Sequence, residues 1–308
     1  MFNIKKNVSP ENADLFNRFV LFTSDRQIAI LFKDKDSQPF AVRKSGPLTG
    51  IKTEYQNHHM ARALLGDKVP DIWGFEASTD KASFYLEYVP ERLLSNVIAE
   101  SFIYKKKIFF KEILLILDFY ISVFNCFLEN RPSFPPSDKE KDMVKMSSEI
   151  ISHPFASKIK SQLNQIVIKA EKIKKPYMVQ HGDFCIRNIL FGHNKKKILI
   201  DWEDMNISAF PLVDYMMLFM SIQEIFQQLF HMNPAQLFKV PELKKKAAEV
   251  KSAILSMLCI DNEMFNTLAV LSTAVLCHQN LEKKRDATAQ LIFKELEKQI
   301  GNVSDIIL

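Results

Sequence analysis

After residue 90 the chain reads as helix, with one stretch that does not: Tyr177 to Asp204. It holds two short apolar runs, Asn188–Phe191 and Ile198–Asp201, separated by Gly192-His193-Asn194. Two such runs around a Gly/Asn turn predict a hairpin. A hairpin set into a helical chain fixes where its ends lie, and its ends are polar: His181, Gly182, Asp183, Arg187 and Asn188 lead in, and Asp201-Trp202-Glu203 leads out.

The segment before residue 90 has the opposite character. Phe19–Phe22 and Gln27–Phe32 read as strands around the turn Thr23-Ser24-Asp25-Arg26, and Phe40–Lys44 as a third strand. Ser45–Gly50 reads as a loop. Thr53–Leu65 reads as a helix, with Thr53 as its cap and Gly66 as its stop. Ile72–Glu76 and Ser83–Tyr88 complete a β-β-β-α-β-β order. Beyond Pro90, helices are expected over Leu93–Leu128 and Met143–Lys174, with a Pro-containing break at 131–138 between them. From Leu212 onward, helices are expected with breaks near Pro234, Pro241, Asp261 and Asn280. Strands first and helices second is an α+β pattern. The pattern divides the chain at residue 90, into 1–90 and 91–308.

The residues around the hairpin match what phosphoryl transfer requires. One carboxylate must accept or orient the proton of an attacking hydroxyl. A second carboxylate and a neutral oxygen ligand must hold Mg²⁺ on the nucleotide phosphates. Asp183, Asn188 five positions later, and Asp201 beyond the hairpin supply these three groups. An Asx-rich turn with capping duties is the structural alternative for Asp183 and Asn188, but it leaves the spacing to Asp201 as coincidence.

The pattern His181-Gly182-Asp183-x4-Asn188-Ile189-Leu190 followed by Ile200-Asp201-Trp202-Glu203 resembles the aminoglycoside phosphotransferase and choline kinase-like superfamily. The stretch from Asp201 to Pro211-Leu212-Val213-Asp214 is most similar to bacterial members associated with surface-polysaccharide gene sets. The likeness covers roughly Phe19 to Phe219. It implies a bilobal protein-kinase-like fold, with a small antiparallel-sheet N-lobe and a larger, mainly helical C-lobe. It also implies an ATP- and Mg²⁺-dependent kinase of a small hydroxyl compound. On this resemblance Asp183 is the catalytic base, and Asn188 and Asp201 ligate Mg²⁺. His181 braces the loop and Asp214 tethers it. Arg187 either neutralises charge on the transferred phosphoryl group or faces solvent. Glu203 stands where the kinase Asp-Phe-Gly motif has glycine, and either lies near metal or acceptor or faces solvent. Cys185 reads as a small packing residue.

In the same family a third-strand cation reaches the α/β-phosphates and pairs with a helix carboxylate. Aligning Ala41-Val42-Arg43 on the kinase pattern selects Arg43. The interval to Glu54 found in the antibiotic kinases selects Lys44. Alternation puts the two on opposite faces, so only one can serve, and the interval favours Lys44. Phe84–Pro90 falls at the interlobe hinge, where Glu87 and Val89 would read adenine through backbone groups. Ser24 is a candidate for a phosphate contact.

Glycine is scarce, 7 of 308 residues, and none forms a G-x-G or G-x-x-x-x-G-K run. This excludes a Walker loop and a Rossmann fingerprint. The excess of 41 basic over 36 acidic residues is mild, and the short lysine runs are scattered, so nucleic acid is not an expected partner. Cys126, Cys185, Cys259 and Cys277 lack paired spacing, as free thiols do. The first ten residues lack an apolar signal core, and Ile108–Leu128 carries four polar or charged residues, reading as a buried helix. A cytoplasmic protein with no membrane span and no protein partner is expected. Gly182 in place of the usual His-Arg-Asp arginine, and the short interval from Asp201 to Asp214, favour a small-molecule acceptor: a sugar, amino sugar or amino alcohol. Choline ranks below a sugar, because residues 216–308 contain no Trp or Tyr for an aromatic cage. The competing reading is a non-catalytic nucleotide-binding module on the same fold.

Overall fold

The computed structural model describes residues 16–22, 26–32, 38–90, 92–93, 105–130, 159–171, 177–191, 196–208, 210–283 and 286–301. The chain divides into two units. The first holds the described residues of 1–100 and 187–205, the second those of 101–186 and 206–308. The fold class is the α+β, protein-kinase-like one expected.

The first unit is built on an antiparallel sheet of β1 (Phe16–Phe22), β2 (Gln27–Phe32), β3 (Pro39–Pro47), β4 (Ile72–Ala77) and β5 (Lys81–Glu87), in the order β1-β2-β3-β5-β4. Helix α1 (Leu48–Leu65) follows β3 directly. The loop expected at Ser45–Gly50 does not form. Pairing of β3 with β5 continues to Pro47↔Lys81, and Pro47 then stands at the N-cap position of α1 without a capping side-chain bond. Thr53 is not the cap; its Oγ1 donates to Thr49 O at 3.0 Å inside the helix.

Strand alternation sorts β3 into two faces. Ala41 joins Ala29, Leu31 and Tyr85 on one side, with Phe40 and Trp73 packed against them. Val42 joins Ile51, Ala82, Phe84 and Leu86 on the other, with Leu48 and Tyr55 of α1 alongside. Helix α1 therefore covers the Val42 face, which is also the face of Lys44. The unit also holds β6 (Arg92–Leu93), β8 (Ile189–Phe191) and β9 (Lys197–Leu199), in the order β6-β8-β9. β8 and β9 are the expected hairpin, paired Ile189↔Leu199 through Phe191↔Lys197. Its turn at 192–194 lies outside the described residues, as do the polar break at 131–138 and residues 143–158 of the second expected helix.

The second unit comprises α2 (Lys105–Glu129), α3 (Lys160–Glu171), β7 (Met178–Gln180), β10 (Asn206–Ser208), α4 (Val213–Phe230), α5 (Pro241–Leu258), α6 (Asn262–Glu282) and α7 (Asp286–Gly301). The β7–β10 pair, Gln180↔Asn206 to Met178↔Ser208, had no signal in the sequence because each strand is three residues long. Along α2, Phe109, Ile113, Ile116, Leu117, Tyr120, Val123, Phe124 and Phe127 are buried at three- and four-residue steps, so this apolar stretch is a core helix. Among the described residues no single helix is long and apolar enough to cross a membrane. The Asp261 side chain caps α6 by accepting from Met264 N–H at 2.7 Å. The break expected near Asn280 comes just after it: Asn280 Nδ2 donates to Leu276 O one turn back, α6 ends at Glu282 and α7 starts at Asp286.

Candidate functional site

In the first unit the third-strand cation is resolved by the face that α1 covers. Lys44 Nζ donates to Glu54 Oε1 and, at 2.9 Å, to Asp201 Oδ1. Glu54 is 1% exposed, so its charge needs a partner. Burial alone would lower the Lys44 ammonium. The neighbouring carboxylates Asp201 and Glu54 outweigh it and hold the group above the ordinary lysine value. Arg43 lies on the opposite face, across from Tyr85. Tyr85 donates to Glu76 Oε2 at 2.9 Å, and its hydroxyl is pushed up to about 12, first by burial and then by Glu76. Arg43 is thus not brought to Glu54 or Asp201.

Arg26 was not anticipated from the sequence. Its Nη1 donates to Glu54 Oε2 at 2.9 Å and to Glu203 Oε2. The signal was present in the register: Ile28 lies opposite Lys44, and Arg26 is two positions before Ile28. Glu203 is neither isolated nor fully exposed. Burial and the repulsion of Asp201 push its carboxyl up, while Arg26 opposes the shift. Asn57, one turn after Glu54 on α1, was also missed. Its Nδ2 donates to the carbonyls of Trp202 (3.0 Å), Glu203 (3.3 Å) and Met205 (3.3 Å), tying the turn after Asp201 to the helix.

Asp201 has a φ of 69°, in the left-handed region. Asp tolerates this conformation better than most residues, at a cost that other contacts must offset. The offset is local. Trp202 is fully buried with its Nε1 donating to Leu199 O at 3.2 Å. Ile200 N–H donates to Asn188 O at 2.9 Å, so the two ends of the hairpin are joined next to Asp201. Asn188 is 8% exposed, whereas Arg187, beside it in a 3₁₀ turn, is exposed. A carboxylate and an amide oxygen are hard ligands suited to Mg²⁺. Among the described residues no group of three or more His, Cys, Asp or Glu could hold a metal by itself.

At the end of β5, Glu87 N–H donates to Asp71 O at 2.8 Å and Tyr88 N–H to Phe40 O at 3.0 Å. These bonds hold β5 where it ends, with Val89 following. Ser24 lies outside the described residues.

In the second unit the loop after β7 is held from α4. Asp214 Oδ2 accepts from His181 N–H at 2.7 Å, and Oδ1 accepts from Gly182 N–H at 2.9 Å. Gly182 has a φ of 85°, where a side chain would be strained. His181 is fully buried, and its Nδ1 accepts from Asp183 N–H at 3.2 Å. Gln180 Oε1 accepts from Asp214 N–H at 3.1 Å, and Ser221 Oγ accepts from Ile186 N–H at 3.1 Å. Burial pushes the Asp214 carboxyl up to about 7, with the two backbone N–H groups opposing and Asp183 adding to the rise. His181 as brace and Asp214 as tether are therefore visible in the bonds. Gln180 and Ser221 are additions. Cys185 is buried.

This loop is also where the sequence meets a known family. Residues 153–238 match the family model APH, phosphotransferase enzyme family. The match includes His181, Asp183, Asn188, Asp201 and Asp214, the residues from which the resemblance was read. Solved structures of similar fold include a thermostable mutant of aminoglycoside phosphotransferase APH(4)-Ia in its apo form (12% identity, 94% of each chain covered, TM-score 0.57). Choline kinase LicA from Streptococcus pneumoniae is 15% identical over 97% of this chain and 98% of its own, with a TM-score of 0.56. An ethanolamine kinase from Plasmodium vivax is 14% identical over 90% and 78%, with a TM-score of 0.52. At these identities the likeness is one of fold. No curated protein sequence matches this chain.

Proposed function

We propose that this chain is an ATP- and Mg²⁺-dependent kinase that phosphorylates a hydroxyl of a small molecule: a sugar, amino sugar or amino alcohol. The observation that carries the reading is the bridge from Lys44 to both Glu54 and Asp201, with Asp201 held in a left-handed backbone. That is the set of groups a kinase uses to hold nucleotide phosphates. Two proteins of the same fold are described with nucleotide bound: a mutant of APH(4)-Ia with ADP and hygromycin B, and LicA with AMP.

In this reading Lys44 takes the α/β-phosphates while Glu54 keeps it in place. Glu87 C=O and Val89 N–H read the adenine edge. Asn188 and Asp201 hold Mg²⁺, which when bound neutralises charge on the phosphates and orients them. Asp183, on the loop braced by His181 and Asp214, accepts the proton of the acceptor hydroxyl as its oxygen attacks the γ-phosphorus and the bond to ADP breaks. Arg187 balances charge on the phosphoryl group in flight. The proposal assigns nucleotide binding to the first segment, 1–90, and acceptor binding to 91–308.

Incubation with Mg·ATP and pooled sugars, amino sugars, choline and ethanolamine tests the reading. Phosphorylated acceptor, lost in Asp183→Ala and Asp201→Ala, is expected. Mg²⁺-dependent nucleotide binding with no transfer to any acceptor would favour the non-catalytic module instead.

A further inference from the structure

The phosphates of a bound nucleotide need more donors than one lysine offers. The sequence Thr23-Ser24-Asp25-Arg26 contains no glycine, the residue on which a backbone-amide phosphate cradle usually rests. We infer that Arg26 is a nucleotide-phosphate ligand, with Glu203 as its resting counter-ion. The inference rests on the kinase reading and adds a residue to it.

Four observations lead there. First, Arg26, the residue before β2, reaches Glu54 of α1, the helix that covers the Lys44 face of the sheet. Second, Arg26 and Lys44 share one buried carboxylate. Glu54 Oε2 takes Arg26 and Oε1 takes Lys44. One buried carboxylate needs one cation, so the pair carries positive charge beyond what Glu54 requires.

Third, each cation has a second carboxylate partner that is more accessible. Lys44 turns to Asp201, 35% exposed, and Arg26 to Glu203, 27% exposed. Asp201 and Glu203 are two positions apart on one turn, fastened by Asn57. The arrangement is a pair of matched exchanges: an incoming phosphate group takes a cation from its outer carboxylate while Glu54 keeps it aimed. Lys44 makes this exchange in the kinase reading, and Arg26 is placed to make it in parallel. Fourth, the chemistry suits the residue. A guanidinium meets phosphate oxygens through paired N–H donors, which an ammonium cannot do. The Arg26 guanidinium also lies over α1 Gly50, with Nη2 3.8 Å from where a Cβ would stand, so it packs on the first turn of the helix without a side chain in its way.

Calorimetric titration of the full chain with Mg·ATP and, separately, with adenosine tests the inference. Arg26→Ala should weaken Mg·ATP binding by about 10-fold or more, the scale of a hydrogen bond to a charged group, and leave adenosine within about 2-fold. Arg26→Lys, which keeps Glu54 neutralised, should fall between, and it carries the comparison if Arg26→Ala fails to fold. Glu203→Gln should tighten Mg·ATP, because its hold on Arg26 is weakened. Equal losses for Mg·ATP and adenosine would make Arg26 a structural cation and overturn the inference. Unchanged Mg·ATP binding in Arg26→Lys together with Arg26→Ala would do the same. A wild-type chain that binds neither ligand would instead sink the kinase reading on which it stands.

Discussion

Lys44 Nζ and Asp201 Oδ1 lie 2.9 Å apart although 157 positions separate them in the chain. The contact joins the third strand of the sheet to the residue after the hairpin, and Glu54 completes it from α1. It turns two separately read motifs into one charged centre within the first unit.

Lys44→Met should therefore cost more than a phosphate contact. Arg26 stays on Glu54, so no uncompensated buried charge is left and the loss should stay below the about 3–5 kcal/mol of a broken buried pair. Thermal melts should show the loss, and the KM for ATP should rise. Arg43→Met, on the other sheet face, should leave the KM for ATP unchanged.

Asp183→Ala should lower kcat by about 10²- to 10⁴-fold, the range for loss of a general base. Asp183 makes its backbone bond to His181 through N–H, which alanine keeps. The circular dichroism spectrum and Tm should be close to wild type, so lost turnover with an intact fold is the expected pair of readings.

Ser221→Ala removes the acceptor for Ile186 N–H, which is buried. An unpaired buried donor costs about 1–3 kcal/mol, and the denaturation midpoint should fall accordingly. Asp183 lies on the loop so anchored, so kcat should fall with it while the KM for ATP holds.

Two buried groups should give opposite pH slopes. Burial lowers His58 to about 4, with the Pro70 carbonyl opposing. The unfolded chain then binds more protons between about pH 4 and the ordinary imidazole value of 6.5, so His58 contributes stability that is lost as pH falls through this window. Asp214 behaves the other way. Its carboxyl is raised from 3.8 to about 7, so the native chain binds more protons and stability falls as pH rises through that range. The full effects are about 3 kcal/mol for His58 and about 4 kcal/mol for Asp214. Denaturant titrations at several pH values should show His58→Gln flattening the acid-side loss and Asp214→Asn removing the neutral-side loss.

Much of this was legible before any coordinates. Gln27–Phe32 was read with its limits because alternation and a polar turn bound it on both sides. The hairpin was read from a turn signal between two apolar runs. The start of α1 was misplaced because Ser45-Gly46-Pro47 looks like a loop, while pairing with Lys81–Ser83 carries the strand through it. The site residues divide the same way. Asp183, Asn188 and Asp201 stand at a telling spacing. Lys44 could be separated from Arg43 only once the face covered by α1 was known. Arg26, Asn57 and Ser221 carry no motif. Their roles come from partners 28, 145 and 35 positions away, a long-range pairing that no local pattern encodes.

The most direct test of the central claim is a γ-phosphate transfer assay: the full chain, Mg·[γ-³²P]ATP and the pooled small-molecule acceptors. The account predicts label on a small hydroxyl compound, abolished by Asp183→Ala and by Asp201→Ala in folded protein. Transfer that survives in both variants would contradict it.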